Sequence, residues 1–107
     1  MATPRFEAAR ILGERLRGRR MALGLSQYEV ASLSQVDLAN YGKVERGVGN
    51  PTLTTLLQLA ITLEIEPHSL LDGLAAPELL PERQYAFTAS DFVREQKRRR
   101  GTPDHSA

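Results

Sequence analysis

Between Asp37 and Gly47 the chain reads DLANYGKVERG, which holds polar side chains of the kind that bond nucleic acid. The Lys43 ammonium could donate to guanine or to a phosphate. The Asn40 amide could take an adenine edge or the sugar–phosphate. Asp37 is placed to cap a helix, its carboxylate accepting from the free backbone N–H groups of the first turn. Gly47 stands where such a helix would stop. Tyr41 and Val44 recur at i and i+3, with Val36 just before, which gives one buried stripe and leaves Leu38, Ala39, Gly42 and Lys43 pointing elsewhere. A short helix with its inner face pinned and its outer face free is what insertion into a DNA groove requires.

The flanking segments have the features needed to hold such a helix. Ser26 and Glu29 form a capping-box pair at the head of a preceding short helix, which has Val30, Ala31 and Leu33 as its apolar side. The run Leu33 to Val36 is the expected turn. Upstream, Phe6 to about Leu23 has a helical period through Ala9, Leu12, Leu16 and Leu23, and Gly24 ends it. Arg10, Arg15, Arg17, Arg19 and Arg20 crowd this helix. They suit a helix C-terminus, or Arg17, Arg19 or both reach DNA phosphates. Downstream, Val48 to Pro51 is a loop by composition, and Thr52 caps a helix from Leu53 to about Leu63. Leu53, Leu56, Leu57, Ala60 and Leu63 would form its wide apolar face. Pro67 opens a short fifth helix that ends near Gly73.

The segments Gly24-Leu25-Ser26-Gln27, Val30-Ala31, Val36, Tyr41, Val44-Glu45-Arg46-Gly47, Asn50-Pro51-Thr52-Leu53 and Leu56 to Ala60 together resemble the lambda-repressor/Cro-type (XRE) helix-turn-helix regulators. The resemblance covers roughly residues 8–74. It implies an all-α fold, a five-helix lambda-repressor-like DNA-binding domain over 6–74, with a recognition helix at about 37–46 in the major groove. Gln27 matches the family glutamine that contacts phosphate. The family's base-reading positions map onto Asp37, Leu38, Ala39, Gly42 and Lys43. Arg46, Asn50 and Thr52 fall where members contact the next phosphates; otherwise they are a solvated charge, a turn residue and a helix cap. The chain departs from better-known members, which carry glutamines, serines or arginines at the reading positions. Leu38 and Ala39 can only pack on thymine methyls, and Gly42 offers backbone alone, so specificity falls more to Lys43, Asn40 and DNA shape. In this family the positions of Arg20 and Glu45 often form an ion pair, expected here to be structural and to tie the first helix to the recognition helix.

Beyond Ala75 the resemblance stops, leaving an extension over 75–107. Arg83 to Thr88 could form one short strand, and Ser90 could cap a terminal helix from Asp91 to about Arg99. Leu70, Leu71, Leu74, Leu79, Leu80, Tyr85, Phe87 and Phe92 are candidates for a dimer surface, or for packing of the tail on its own domain. The basic end, Arg94 with Lys97 to Arg100, is either a solvated helix end and tail or an arm that adds phosphate contacts or enters a minor groove.

Composition bounds the function. The net charge is +1, so affinity for nucleic acid must come from local clustering. Cysteine is absent, and His68 and His105 lack metal-ligand spacing, so no metal and no cofactor is expected. No nucleophile–base arrangement or phosphate-cradling loop suggests an enzyme. No apolar run has the length of a membrane span, and the N-terminus lacks a signal h-region, so a cytoplasmic location is expected. The expected function is sequence-specific binding of double-stranded DNA as a transcriptional regulator. A repressor acting as a homodimer on an inverted-repeat operator is the leading form. The alternatives are an antitoxin that autorepresses its operon, with a toxin bound through the extension, or a protein-interaction module that has lost DNA binding.

Overall fold

The computed structural model describes residues 6–81 and 88–101. Five helices make the packed body: α1 (Glu7–Ala22), α2 (Gln27–Ser34), α3 (Leu38–Glu45), α4 (Leu53–Leu63) and α5 (Pro67–Leu71). A 3-10 turn, Pro77–Leu79, follows, and then α6 (Ala89–Gly101). Among the described residues there is no strand. The strand expected over 83–88 falls almost wholly outside them, as do Tyr85 and Phe87. Thr88 is described and is a helix cap: its Oγ1 accepts from Asp91 N at 3.1 Å, and Asp91 Oδ2 accepts from Thr88 N at 3.4 Å. This reciprocal pair, not Ser90, starts α6.

The core draws on all five helices. Leu16 of α1, Val30 of α2, Tyr41 of α3, Leu59 and Leu63 of α4 and Leu70 of α5 are its largest fully buried members. Helix α1 packs on α3 and α5, and α2 packs on α3 and α4. The 3-10 turn lies against α1, with Leu79 on the core. Ser34 Oγ donates to Thr62 Oγ1 at 2.7 Å, so the one buried serine of α2 is satisfied across the α2–α4 contact.

Two turns explain the spacing of α2 and α3. Gln35 closes α2 in the left-handed region, at φ 58°, and its N–H returns to Ser32 O. Only Gln35 and Val36 then separate α2 from the Asp37 cap, so the turn starts two residues later than the expected Leu33 and is shorter. Gly47 ends α3 at φ 79°, a conformation that favours glycine.

Several apolar assignments change. Leu70 and Leu74 are buried in the core of their own chain, which removes them as dimer candidates. Leu71 and Phe92 remain exposed. On α4 the inward face is Leu56, Leu59, Ala60 and Leu63, while Leu53 and Leu57 lie outside it with Ile61. Leu23 is also exposed, because α1 has ended at Ala22.

The arginines of α1 divide by helix face. Arg15 Nη1 donates to the carbonyls of Leu70 at 3.0 Å and Asp72 at 2.7 Å. Arg19 Nε donates to Leu63 O at 2.8 Å, and its Nη2 to Glu64 O at 3.2 Å. They satisfy the last carbonyls of α5 and α4, which helix geometry leaves without partners. Arg19 is therefore committed to carbonyls of its own chain, and of the two readings the phosphate one does not hold for it. Arg17 is exposed.

Candidate nucleic-acid interface

Helix α3 has two faces with opposite tasks. Tyr41, Val44 and Glu45 are buried on the inner face. Leu38, Ala39, Asn40, Lys43 and Arg46 are exposed on the outer one, with Asn50 and Thr52 exposed just beyond. At its head, Asp37 Oδ2 accepts from Asn40 N at 3.1 Å, as a cap should. Helix α2 begins with the complete capping box: Glu29 N donates to Ser26 Oγ at 3.0 Å, and Ser26 N donates to Glu29 Oε1 at 2.8 Å. Thr52 caps α4 by accepting from Thr55 N at 3.2 Å.

Beneath the outer face, the Glu45 carboxylate gathers four donors. Arg20 grips it with two parallel bonds, Nε to Oε2 at 2.6 Å and Nη2 to Oε1 at 3.0 Å. Gln27 Nε2 donates to Oε1 at 2.9 Å, and the Tyr41 hydroxyl donates to Oε2. The third arm of Arg20 donates to Leu25 O at 2.9 Å. One buried carboxylate thus ties α1, the α1–α2 turn, α2 and α3 together. Burial pushes the Glu45 carboxyl up, but its hydrogen bonds from Arg20, Tyr41 and Gln27 outweigh this and hold it below the ordinary 4.5. Burial and the neighbouring Glu45 carboxylate push the Tyr41 phenol well above its ordinary 10.

Gly42 is not on the free surface where the stripe placed it. It is buried, and a Cβ there would stand 3.1 Å from Arg46 Nη1 and 3.7 Å from Gln27 Oε1. Arg46 therefore folds back along α3 toward Gln27, over the space a side chain at 42 would fill. Tyr28, which the sequence did not single out, is exposed beside Gln27 in the first turn of α2. Its signal was available: a phenol one residue after the cap's neighbour, off the Val30–Ala31 face.

Residues 16–70 match the helix-turn-helix family. The chain belongs to that family. Its members of this XRE type are DNA-binding transcriptional regulators, and the fold is theirs. Over 63 residues the chain is 41% identical to the HTH-type transcriptional regulator DdrOP3 of Deinococcus deserti, a stretch covering 59% of this chain and 49% of the other. The chain thus spans about half the length of that curated relative. The restriction-modification controller protein C.AhdI of Aeromonas hydrophila is 47% identical with a TM-score of 0.57, over 58% of this chain and 94% of that one. The P22 c2 repressor, solved with a synthetic operator, is 32% identical with a TM-score of 0.56, over 59% and 96%.

Among the described residues no helix is long and apolar enough to cross a membrane.

Proposed function

We propose that this helix-turn-helix chain binds a two-fold operator in double-stranded DNA as a homodimer and represses transcription from it. The observation that carries the reading is the asymmetry of α3: an inner face fixed through Glu45 and an outer face free at Leu38, Ala39, Asn40 and Lys43. A rigid reading helix needs both. In this reading Lys43 and Asn40 address base edges, Leu38 and Ala39 pack on thymine methyls, and Asp37 stays a cap. Phosphates are taken by the first turn of α2, where Gln27 and the exposed Tyr28 flank free backbone N–H groups, and by Arg46, Asn50 and Thr52. Because the Gln27 amide donates to Glu45, its own phosphate bond falls mainly to its backbone N–H.

One α3 covers only a few base pairs, which favours two copies on half-sites about 34 Å apart. Leu53, Leu57 and Ile61 form an exposed i, i+4, i+8 stripe on α4, and with the exposed Leu71 they offer apolar surface for a second copy. The likeness to a repressor solved on an operator supports the repressor reading. A controller of a restriction–modification system is the second reading, supported by 47% identity to C.AhdI.

Selection of bound sequences from a random duplex pool tests the reading. An inverted repeat with half-sites one helical turn apart is expected. Enrichment of no sequence, or a chain that sediments only as a monomer and binds DNA without cooperativity, would overturn it.

A further inference from the structure

The charge of this chain is divided between two bodies. From Phe6 to Pro81, seven arginines and lysines stand against nine aspartates and glutamates, a net of −2. From Ala89 to Gly101, the five cations Arg94 and Lys97 to Arg100 stand against Asp91 and Glu95, a net of +3. The part that carries the reading helix is the acidic one.

Most cations of the packed body are also spent internally. Arg10 pairs with Glu7 and Glu14, Arg15 and Arg19 hold helix carbonyls, and Arg20 holds Glu45. Arg17, Lys43 and Arg46 remain for a duplex. A protein that makes six to ten phosphate contacts, on the order of what sets a strong salt-dependent affinity, needs more than these. On α6 no residue is buried, and its ion pairs, Arg94 with Asp91 and Arg98 and Arg99 with Glu95, are exposed pairs of one helical turn. Such pairs are worth little and exchange readily for phosphate.

The chain also leaves the body at a telling place. Leu80 lines an apolar cavity of about 210 Å³ together with Gly49, Asn50 and Pro51, the loop that follows α3. From Pro81 to Thr88 is seven peptide steps, a reach of at most about 25 Å. That bound keeps the start of α6 within about 25 Å of Pro81, near the loop at Asn50 and the phosphates it would meet.

We infer that α6 is a second DNA-contacting element, a cationic helix that lies on the phosphate backbone flanking each half-site and supplies much of the sequence-independent affinity. The inference rests on the operator-binding reading for where α6 is delivered, and its own readout is independent of sequence choice.

The test compares the full chain with the triple variant Lys97→Gln, Arg99→Gln, Arg100→Gln. Each is titrated at several salt concentrations against the selected operator and against a random duplex. The variant should show the same far-UV circular dichroism and melting temperature, because α6 contributes no buried residue. Its affinity at 0.15 M salt should fall by about tenfold or more on both duplexes, and the salt slope should drop by roughly two to three. The protected footprint should shorten outside the half-sites while the preferred sequence stays the same. Unchanged affinity and slope on both duplexes would overturn the inference. If the unmodified chain selects no sequence, the operator reading fails, and the slope on the random duplex still decides the role of α6.

Discussion

Gly13 and Glu45 meet backbone to backbone: a Cβ on Gly13 would stand 2.3 Å from the Glu45 carbonyl oxygen and 2.6 Å from that of Val44. The contact lies on the same residue whose carboxylate Arg20 grips, so α1 holds the end of α3 by main chain and by side chain at once. Gly13→Ala should force these helices apart. A loss of about 1–3 kcal/mol is expected, an overpacking cost, and for a body of this size about 5–20 °C of melting temperature. Thermal unfolding followed by circular dichroism measures it, and a variant that melts with the unmodified chain would refute the contact.

Arg20→Met should be the more damaging change at the pair. It strands a buried carboxylate with only Gln27 and Tyr41 as donors, a cost of about 3–5 kcal/mol. The double variant Arg20→Met, Glu45→Met removes both charges and should recover much of that loss. Urea unfolding of both variants measures the difference. A double variant no more stable than the single would show that the pair is not the unit of stability.

Stability should fall at both ends of the pH scale for separate reasons. Glu45 titrates lower in the folded chain than its ordinary 4.5, so its contribution is present above that value and is lost as pH falls through the folded value. Tyr41 titrates higher than its ordinary 10, so its contribution is present below pH 10 and is lost as pH rises beyond it. In Tyr41→Phe the alkaline loss should vanish, which melting curves between pH 9 and about 11 would reveal; an unchanged alkaline limb would assign the loss to another group.

At the reading face, stability and affinity should separate. Gly42→Ala places a methyl against the flexible end of Arg46 rather than against backbone. Since alanine favours a helix interior over glycine by about 1 kcal/mol, the variant should be no less stable. Its DNA affinity should fall, because Arg46 must leave its seat over α3. Lys43→Ala should leave stability unchanged and relax one base position of the selected operator. Equal affinity of Gly42→Ala and the unmodified chain in a gel-shift titration would remove Arg46 from the interface.

What the sequence disclosed depended on whether a side chain's partner lay a few residues away or was a complementary side chain. The caps at Ser26, Asp37 and Thr52 were legible because donor and acceptor lie three residues apart in the chain. The Arg20–Glu45 pair was legible from complementary charge and the family pattern. Arg15 and Arg19 were not, since their acceptors are main-chain carbonyls, which leave no mark in residue type. The Tyr41 hydroxyl was hidden by reading that residue only as part of an apolar stripe. Helix α5 has five residues, too few for a periodic face, so Leu70 and Leu74 could not be told from surface leucines. On α4 nearly every position is apolar, and the choice of face waits on α2. Thr88 and Ser90 both suit a cap; the acidic Asp91 three residues after Thr88 decides it.

The grip of α1 on α4 and α5 also has a consequence in time. Arg15 and Arg19 find their carbonyls 44 to 57 residues further along the chain. During synthesis α1 can dock on α3 once Glu45 has followed, through Gly13 and Arg20, but its hold on α4 and α5 waits for Leu63 to Asp72. Until then the three helices that carry and aim the reading surface stand without Leu59, Leu63 and Leu70, which complete the core beneath them. A nascent chain cut short before Asp72 would carry the whole reading surface and the Arg20–Glu45 clasp but not a closed core to hold them, so regulatory competence arrives late, and close to all at once.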